Sequence, residues 1–224
     1  MEKIMFSEKV FTDILPHIGA PLHERCLRDR EVGIKAGEAD LSPGFRLIVD
    51  DCLATGMGPS LEDFESFLSV AMELTRREDG YAFRLVLGEP QGCPVSASEA
   101  FHLDIGKQEC RITCRDAEGA RRALVRIEDE MLLRRSPYLP VGSSSRWVVI
   151  KERISRSPVA PCRWMTGWEL EDEREYYPDG YLNRLAHCGI NGIWVDGLLR
   201  RMVASKVLPE LGPPEHRLEI LQRL

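Results

Sequence analysis

The stretch from Ile190 to Val195 is nearly all apolar apart from Asn191, and this constrains the fold more than any other feature of the chain. A strand with that pattern is buried on both faces, as parallel strands flanked by helices are. The residues before it supply the rest of such a unit. Arg163–Trp168 reads as a strand, Pro178 stands where a helix's first turn tolerates proline, Tyr181, Leu182 and Leu185 form an apolar stripe, and Gly189 stands where a helix ends in left-handed geometry. The order is β-α-β. Two parallel strands and one or two helices cannot cover their own apolar faces, so the second half is expected to open a larger α/β structure and to stop before completing it. Glu215–Leu224 reads as helical with no cap at its end.

The first half has a different texture. Apolar patches before residue 40, such as Val10, Phe11, Ile14 and Leu15, are cut by Pro16, Gly19 and Pro21, and residues 1–40 are read as an irregular lead-in. From Phe45 the alternation of Phe45, Leu47 and Val49 indicates a strand. A loop through Gly56, Gly58 and Pro59 is expected next, then a helix opening at Ser60 with Leu61, Phe64, Leu68 and Ala71 on its buried face. Tyr81–Leu87 and Phe101–Ile105 alternate as strands, and Gly106 turns the chain into a strand at Cys110–Cys114. Asp116 can cap the following helix, where Ala120, Leu124, Ile127 and Met131 recur at helical spacing. Strand, helix, three strands, helix predicts an α+β fold with a small sheet and helices on one face. The expected organisation is a lead-in at 1–40, an α/β domain at 41–142, a linker with a short extended segment (Trp147–Ile150) at 143–161, and β/α units at 162–224.

Charge and cysteine usage narrow the partners. Of 224 residues, 36 are acidic and 30 are Lys or Arg, a formal net charge of -6, which lacks the clustered cations of a nucleic-acid surface. No stretch has the length of a membrane span or a signal peptide, so a cytoplasmic protein is expected. Seven irregularly spaced cysteines do not suit a disulfide framework, and Cys110 and Cys114, sharing one strand face about 13 Å apart, read as small core residues. The five histidines show no metal-ligand spacing, and neither a metal nor another cofactor is expected.

The order and spacing of Glu99–Ile105 (EAFHLDI), Cys110–Cys114 (CRITC) and Arg115–Leu124 (RDAEGARRAL) resemble the small α/β domain of glycoside hydrolase family 20, the β-N-acetylhexosaminidases. In that family this domain precedes a (β/α)8 barrel. Arg163 at the first barrel strand, Tyr177–Leu182 (YPDGYL) at the first helix and Gly189–Val195 (GINGIWV) at the second strand extend the similarity over roughly residues 32–205. The resemblance implies that residues 162–224 are the first units of an incomplete TIM barrel. It also implies a retaining, substrate-assisted mechanism in which the sugar's own 2-acetamido group attacks the anomeric carbon. The Asp-Glu pair that serves it belongs after the fourth barrel strand, beyond this chain's last residue, so no catalytic residue is assigned.

Carbohydrate is the implied substrate of the full-length protein, with Arg163, Glu169, Asp196 and Arg200 as candidate substrate-binding residues at the barrel mouth. The run Glu169, Glu171, Asp172, Glu173 and Glu175 reads first as a solvated acidic loop, and Asp196 and Arg200 first as a salt-bridged one. The stretch departs from the family, which places an acidic residue and then an arginine after the first strand. Trp164, Trp168 and Trp194 could stack on a sugar but read first as core. Uncovered barrel strands would favour self-association. A stand-alone binding or interaction module without chemistry, or a truncated reading frame, remains open at this level.

Overall fold

The computed structural model describes residues 8–160 and 175–195, with positions 206, 207, 209, 218, 219, 221 and 222 beyond them. The chain divides into two compact units: His23–Lys151, and Met1–Leu22 with Glu152–Leu224. Among the described residues no helix is long and apolar enough to cross a membrane.

The His23–Lys151 unit is built on a five-stranded mixed sheet. Its strands are β2 (Phe45–Val49), β3 (Tyr81–Leu87), β4 (Phe101–Ile105), β5 (Glu109–Cys114) and β7 (Gly142–Arg146), in the order β2-β3-β5-β4-β7. β2, β3 and β5 run parallel, whereas β4 pairs antiparallel with both β5 and β7. A separate antiparallel pair joins β1 (Glu38–Asp40) to β6 (Tyr138–Pro140).

Alternation gives this sheet one apolar face. Phe83, Leu85, Leu103, Cys110 and Ile112 are buried beneath two helices, α2 (Asp51–Ser66) and α3 (Ala117–Arg134). α2 contributes Leu53, Met57 and Phe64, and α3 contributes Ala120, Leu124, Ile127 and Met131. Arg46, Asp104 and Arg111 on the opposite face are exposed, and Arg84 there bonds Glu109 at 3.1 Å. Burial pushes the thiols of Cys110 and Cys114 up to about 12, which makes them inert core groups as their strand positions imply.

The structure differs from the sequence reading at several elements. α2 begins at Asp51, so the expected loop through Gly56, Gly58 and Pro59 is helix. Burying Leu53, Met57 and Phe64 on one stripe outweighs the propensity cost of two glycines and a proline. The helix then continues as a π-helical turn over Phe67–Ala71. The extended segment expected at Trp147–Ile150 lies earlier, at β7, where Ser143, Ser144 and Ser145 pair with β4. At an edge strand that buries little side-chain surface, serines suffice.

α3 follows the sequence closely. Asp116 caps it, its carboxylate accepting a hydrogen bond from the Gly119 amide at 2.6 Å, and Arg135 ends it in left-handed geometry at φ 54°. Gly119 lies so close to the strand entering β4 that a Cβ there would stand 2.4 Å from the Ala100 carbonyl oxygen.

In the other unit, residues expected to be irregular form α1 (Glu8–Gly19) despite Pro16. Its Ile14, Leu15 and Ile18 pack against a cluster of Val159, Ala160, Tyr176, Tyr177 and Tyr181, and this burial offsets the backbone hydrogen bond that the proline removes. α4 (Asp179–His187) follows, with Pro178 just outside it at the N-cap and Gly189 at φ 85° past its end. β8 (Ile154–Ser155) and β9 (Gly192–Ile193) form a parallel pair. The strand expected over Ile190–Val195 is therefore only two residues long and half-buried. Its described partner is Ile154–Ser155; the strand expected at Arg163–Trp168 lies outside the described residues.

Leu124→Ala, opening a cavity between α3 and the sheet, is expected to lower unfolding free energy by about 2–5 kcal/mol. Gly119→Ala should cost about 1–3 kcal/mol through overpacking against Ala100. Urea unfolding followed by circular dichroism measures both, and an unchanged midpoint for Gly119→Ala would mean that α3 does not need this close approach.

Candidate functional site

Arg163, Glu169, Asp196 and Arg200 all lie outside the described residues, as do Trp164, Trp168 and the acidic positions 171–173. Glu175 is described and exposed. The described residues next to these positions include the parallel pair β8 and β9. Because β8 and β9 are parallel, the residues that follow them leave at the same end, and these are Arg156 and Trp194. The Arg156 guanidinium lies 5.1 Å from the centre of the Trp194 ring, a cation–π arrangement.

Two tyrosines hold this end in place. The Tyr181 hydroxyl donates to the Arg156 carbonyl at 2.8 Å, and the Tyr177 hydroxyl donates to the Trp194 carbonyl at 3.0 Å. Trp194 was expected in the core but is 57% exposed. A two-residue strand with one described neighbour cannot enclose an indole, so the ring stands at the strand end with the arginine against it.

A second constellation lies in the His23–Lys151 unit. His23 precedes β1, Asp63 is on α2 and Glu128 is on α3. The His23 Nε2 is 3.6 Å from Asp63 Oδ2 and 3.5 Å from Glu128 Oε2, with the His23 and Glu128 side chains almost fully buried. The imidazole is oriented by an edge-on contact with Phe67, ring centres 5.2 Å apart. Burial pushes the Glu128 carboxyl up to about 9, with the negative charges of Asp63 and Asp129 adding to the effect. One imidazole and two carboxylates within reach of one another are groups that can hold a metal ion.

Spacing could not reveal this cluster, because its members come from three separate segments. Its one sequence signal was Glu128 itself, a carboxylate on the stripe defined by Leu124, Ile127 and Met131. Elsewhere in the unit, His102 Nδ1 lies 2.8 Å from the Ser145 hydroxyl, but that hydroxyl donates to the Gln91 carbonyl. Its proton is committed to the backbone, so the pair is not an activated nucleophile.

The mixed sheet under two helices, with a parallel β-α-β unit in the same chain, is a fold found in glycoside hydrolases of the family 20 hexosaminidase type. A variant of Streptomyces plicatus β-hexosaminidase in complex with its product GlcNAc superposes with a TM-score of 0.51 and 20% identity, covering 78% of this chain and 34% of its own. A GH138 enzyme targeting pectin rhamnogalacturonan II superposes with a TM-score of 0.53 and 13% identity, covering 80% of this chain and 29% of its own. The chain thus spans about a third of the length of these solved relatives. No family model and no curated protein matches the sequence.

The raised pKa of Glu128 has a testable sign. The native state keeps a proton that an unfolded glutamate releases near 4.5, so stability is full below that value and falls as pH rises toward about 9. In metal-free buffer the denaturation midpoint of the wild-type chain is expected to decline across this window. Glu128→Gln, which mimics the protonated acid, should decline less steeply. Parallel profiles for the two proteins would show that Glu128 is not the group responsible.

Proposed function

We propose that this chain is the N-terminal, non-catalytic portion of a β-N-acetylhexosaminidase-like glycoside hydrolase. In the full-length protein it would act on N-acetylhexosamine-containing glycans by substrate-assisted, retaining hydrolysis. The observation that carries this reading is the fold shared with the Streptomyces plicatus enzyme over 78% of the chain. In this reading the His23–Lys151 unit is the small α/β domain that precedes the barrel in the chain, and β8 and β9 belong to the barrel's opening. Residues that follow barrel strands emerge at the mouth where substrate binds. Asp196, directly after Val195, and Arg200 would then face the sugar, with Arg163 and Glu169 contributed by the preceding segment.

A cytoplasmic setting belongs to the same proposal. So does self-association of the isolated chain, to which the exposed Trp194, Val149 and Ile150 would contribute. A second reading keeps the glycoside hydrolase but changes the sugar: the superposition on the rhamnogalacturonan enzyme, with a TM-score of 0.53, favours a pectic glycan equally well on fold.

Aryl β-N-acetylglucosaminide and β-N-acetylgalactosaminide are expected to remain intact with the 224-residue chain, and steady turnover would overturn the non-catalytic assignment. In an extended polypeptide that hydrolyses these reporters, Asp196→Ala or Arg200→Ala should lower kcat/KM by about one to two orders of magnitude, the loss of a charge-assisted hydrogen bond, with Tm nearly unchanged. A fallen Tm with intact turnover would make these residues structural. An extended polypeptide inactive on both reporters but active on a pectic oligosaccharide would favour the second reading.

A further inference from the structure

We propose that His23, Asp63 and Glu128 form a binding site for one divalent transition-metal ion, with Zn²⁺ the best fit. The first argument is distance. The two N···O separations, 3.5 and 3.6 Å, exceed the roughly 2.7–3.2 Å of a good N–H···O hydrogen bond. They match the edge of a metal polyhedron: two ligand atoms each about 2.0–2.2 Å from a tetrahedral ion stand about 3.4 Å apart.

The second argument is charge. A dication bound between Asp63 and Glu128 would neutralise the two carboxylates that ligate it. The third is donor chemistry. One imidazole with two carboxylates suits Zn²⁺ and its first-row neighbours, and sets the site apart from the all-oxygen shells of Mg²⁺ and Ca²⁺.

The fold also prepares the ligands. α2 and α3 pack against each other in one core and carry the two carboxylates on rigid backbone, while the edge of Phe67 fixes the imidazole plane. The segment that follows His23 is tied down by the Leu27 and Arg28 amides, both donating to the Ala71 carbonyl at 2.9 and 3.1 Å. Asp63, whose side chain retains 19% exposure, leaves a route for the ion and for water to complete its coordination. Bound there, the ion would pin the start of the unit to both helices, a structural role independent of any hydrolysis.

The test uses the full chain, stripped with a chelator and titrated with Co²⁺ as a spectroscopic stand-in. One equivalent should produce visible d–d absorption that Zn²⁺ abolishes, and Zn²⁺ should raise Tm. His23→Ala and Glu128→Gln should each weaken binding by at least about a hundredfold, since even losing a group behind a ligand costs 10–100-fold. Glu128→Gln is the decisive variant, because its amide matches the shape of the protonated acid and should leave the fold intact by circular dichroism. Absence of metal-dependent absorption and of any Tm shift in folded wild-type chain would overturn the proposal. So would undiminished binding in the folded Glu128→Gln chain, which would place the ion elsewhere, for instance on the exposed thiols of Cys26 or Cys52.

Discussion

Burial of a single sheet face under α2 and α3 is the constraint on which the His23–Lys151 unit depends. The opposite face carries Arg46, Arg84, Asp104 and Arg111 and cannot serve as a second core. The largest apolar side chains of the central strands, among them Phe83, Leu85, Leu103 and Ile112, point to the same side, and both helices lie there. This explains the tolerance for unfavourable local sequence in α2, where Gly56, Gly58 and Pro59 remain helical because Leu53, Met57 and Phe64 need one stripe. It also explains the close contact at Gly119, which lets α3 settle onto the strand leading into β4. An ion pair supports the far end of α3, where Arg134 reaches the Glu38 carboxylate at 2.7 Å and holds its pKa below the usual range.

Where local pattern and tertiary demand coincide, the sequence was legible. The four strands from Phe45 to Cys114, the cap at Asp116 and the stripe of α3 all follow from period and capping chemistry. Legibility failed where a distant surface decided the outcome. α1 was obscured by Pro16 because its stabilising partners, among them Tyr176, Tyr177 and Tyr181, lie more than a hundred residues away. β7 was hidden because a run of serines carries no strand signal until β4 offers it hydrogen bonds.

The candidate sites divide in the same manner. Resemblance directed attention to residues 163–200, of which the structure describes 175–195, including Trp194, but not the four candidate side chains themselves. The His23, Asp63 and Glu128 cluster was invisible to spacing, since no two of its members share an element. A carboxylate among the apolar positions of α3 was its trace, and such a residue is informative because burying it demands compensation.

The strand order has a consequence for assembly. β4 and β5 are consecutive and antiparallel, joined through Gly106, so their ladder can form by local closure. β3 pairs with β5 and not with β4, its successor in the chain, so the hairpin must dock by its second strand and carry β4 outward. That docking closes a larger loop than the hairpin does, and β7, which pairs with β4, has no partner strand until β4 has formed. The sheet's serine-rich margin therefore takes its template from a strand that the hairpin supplies.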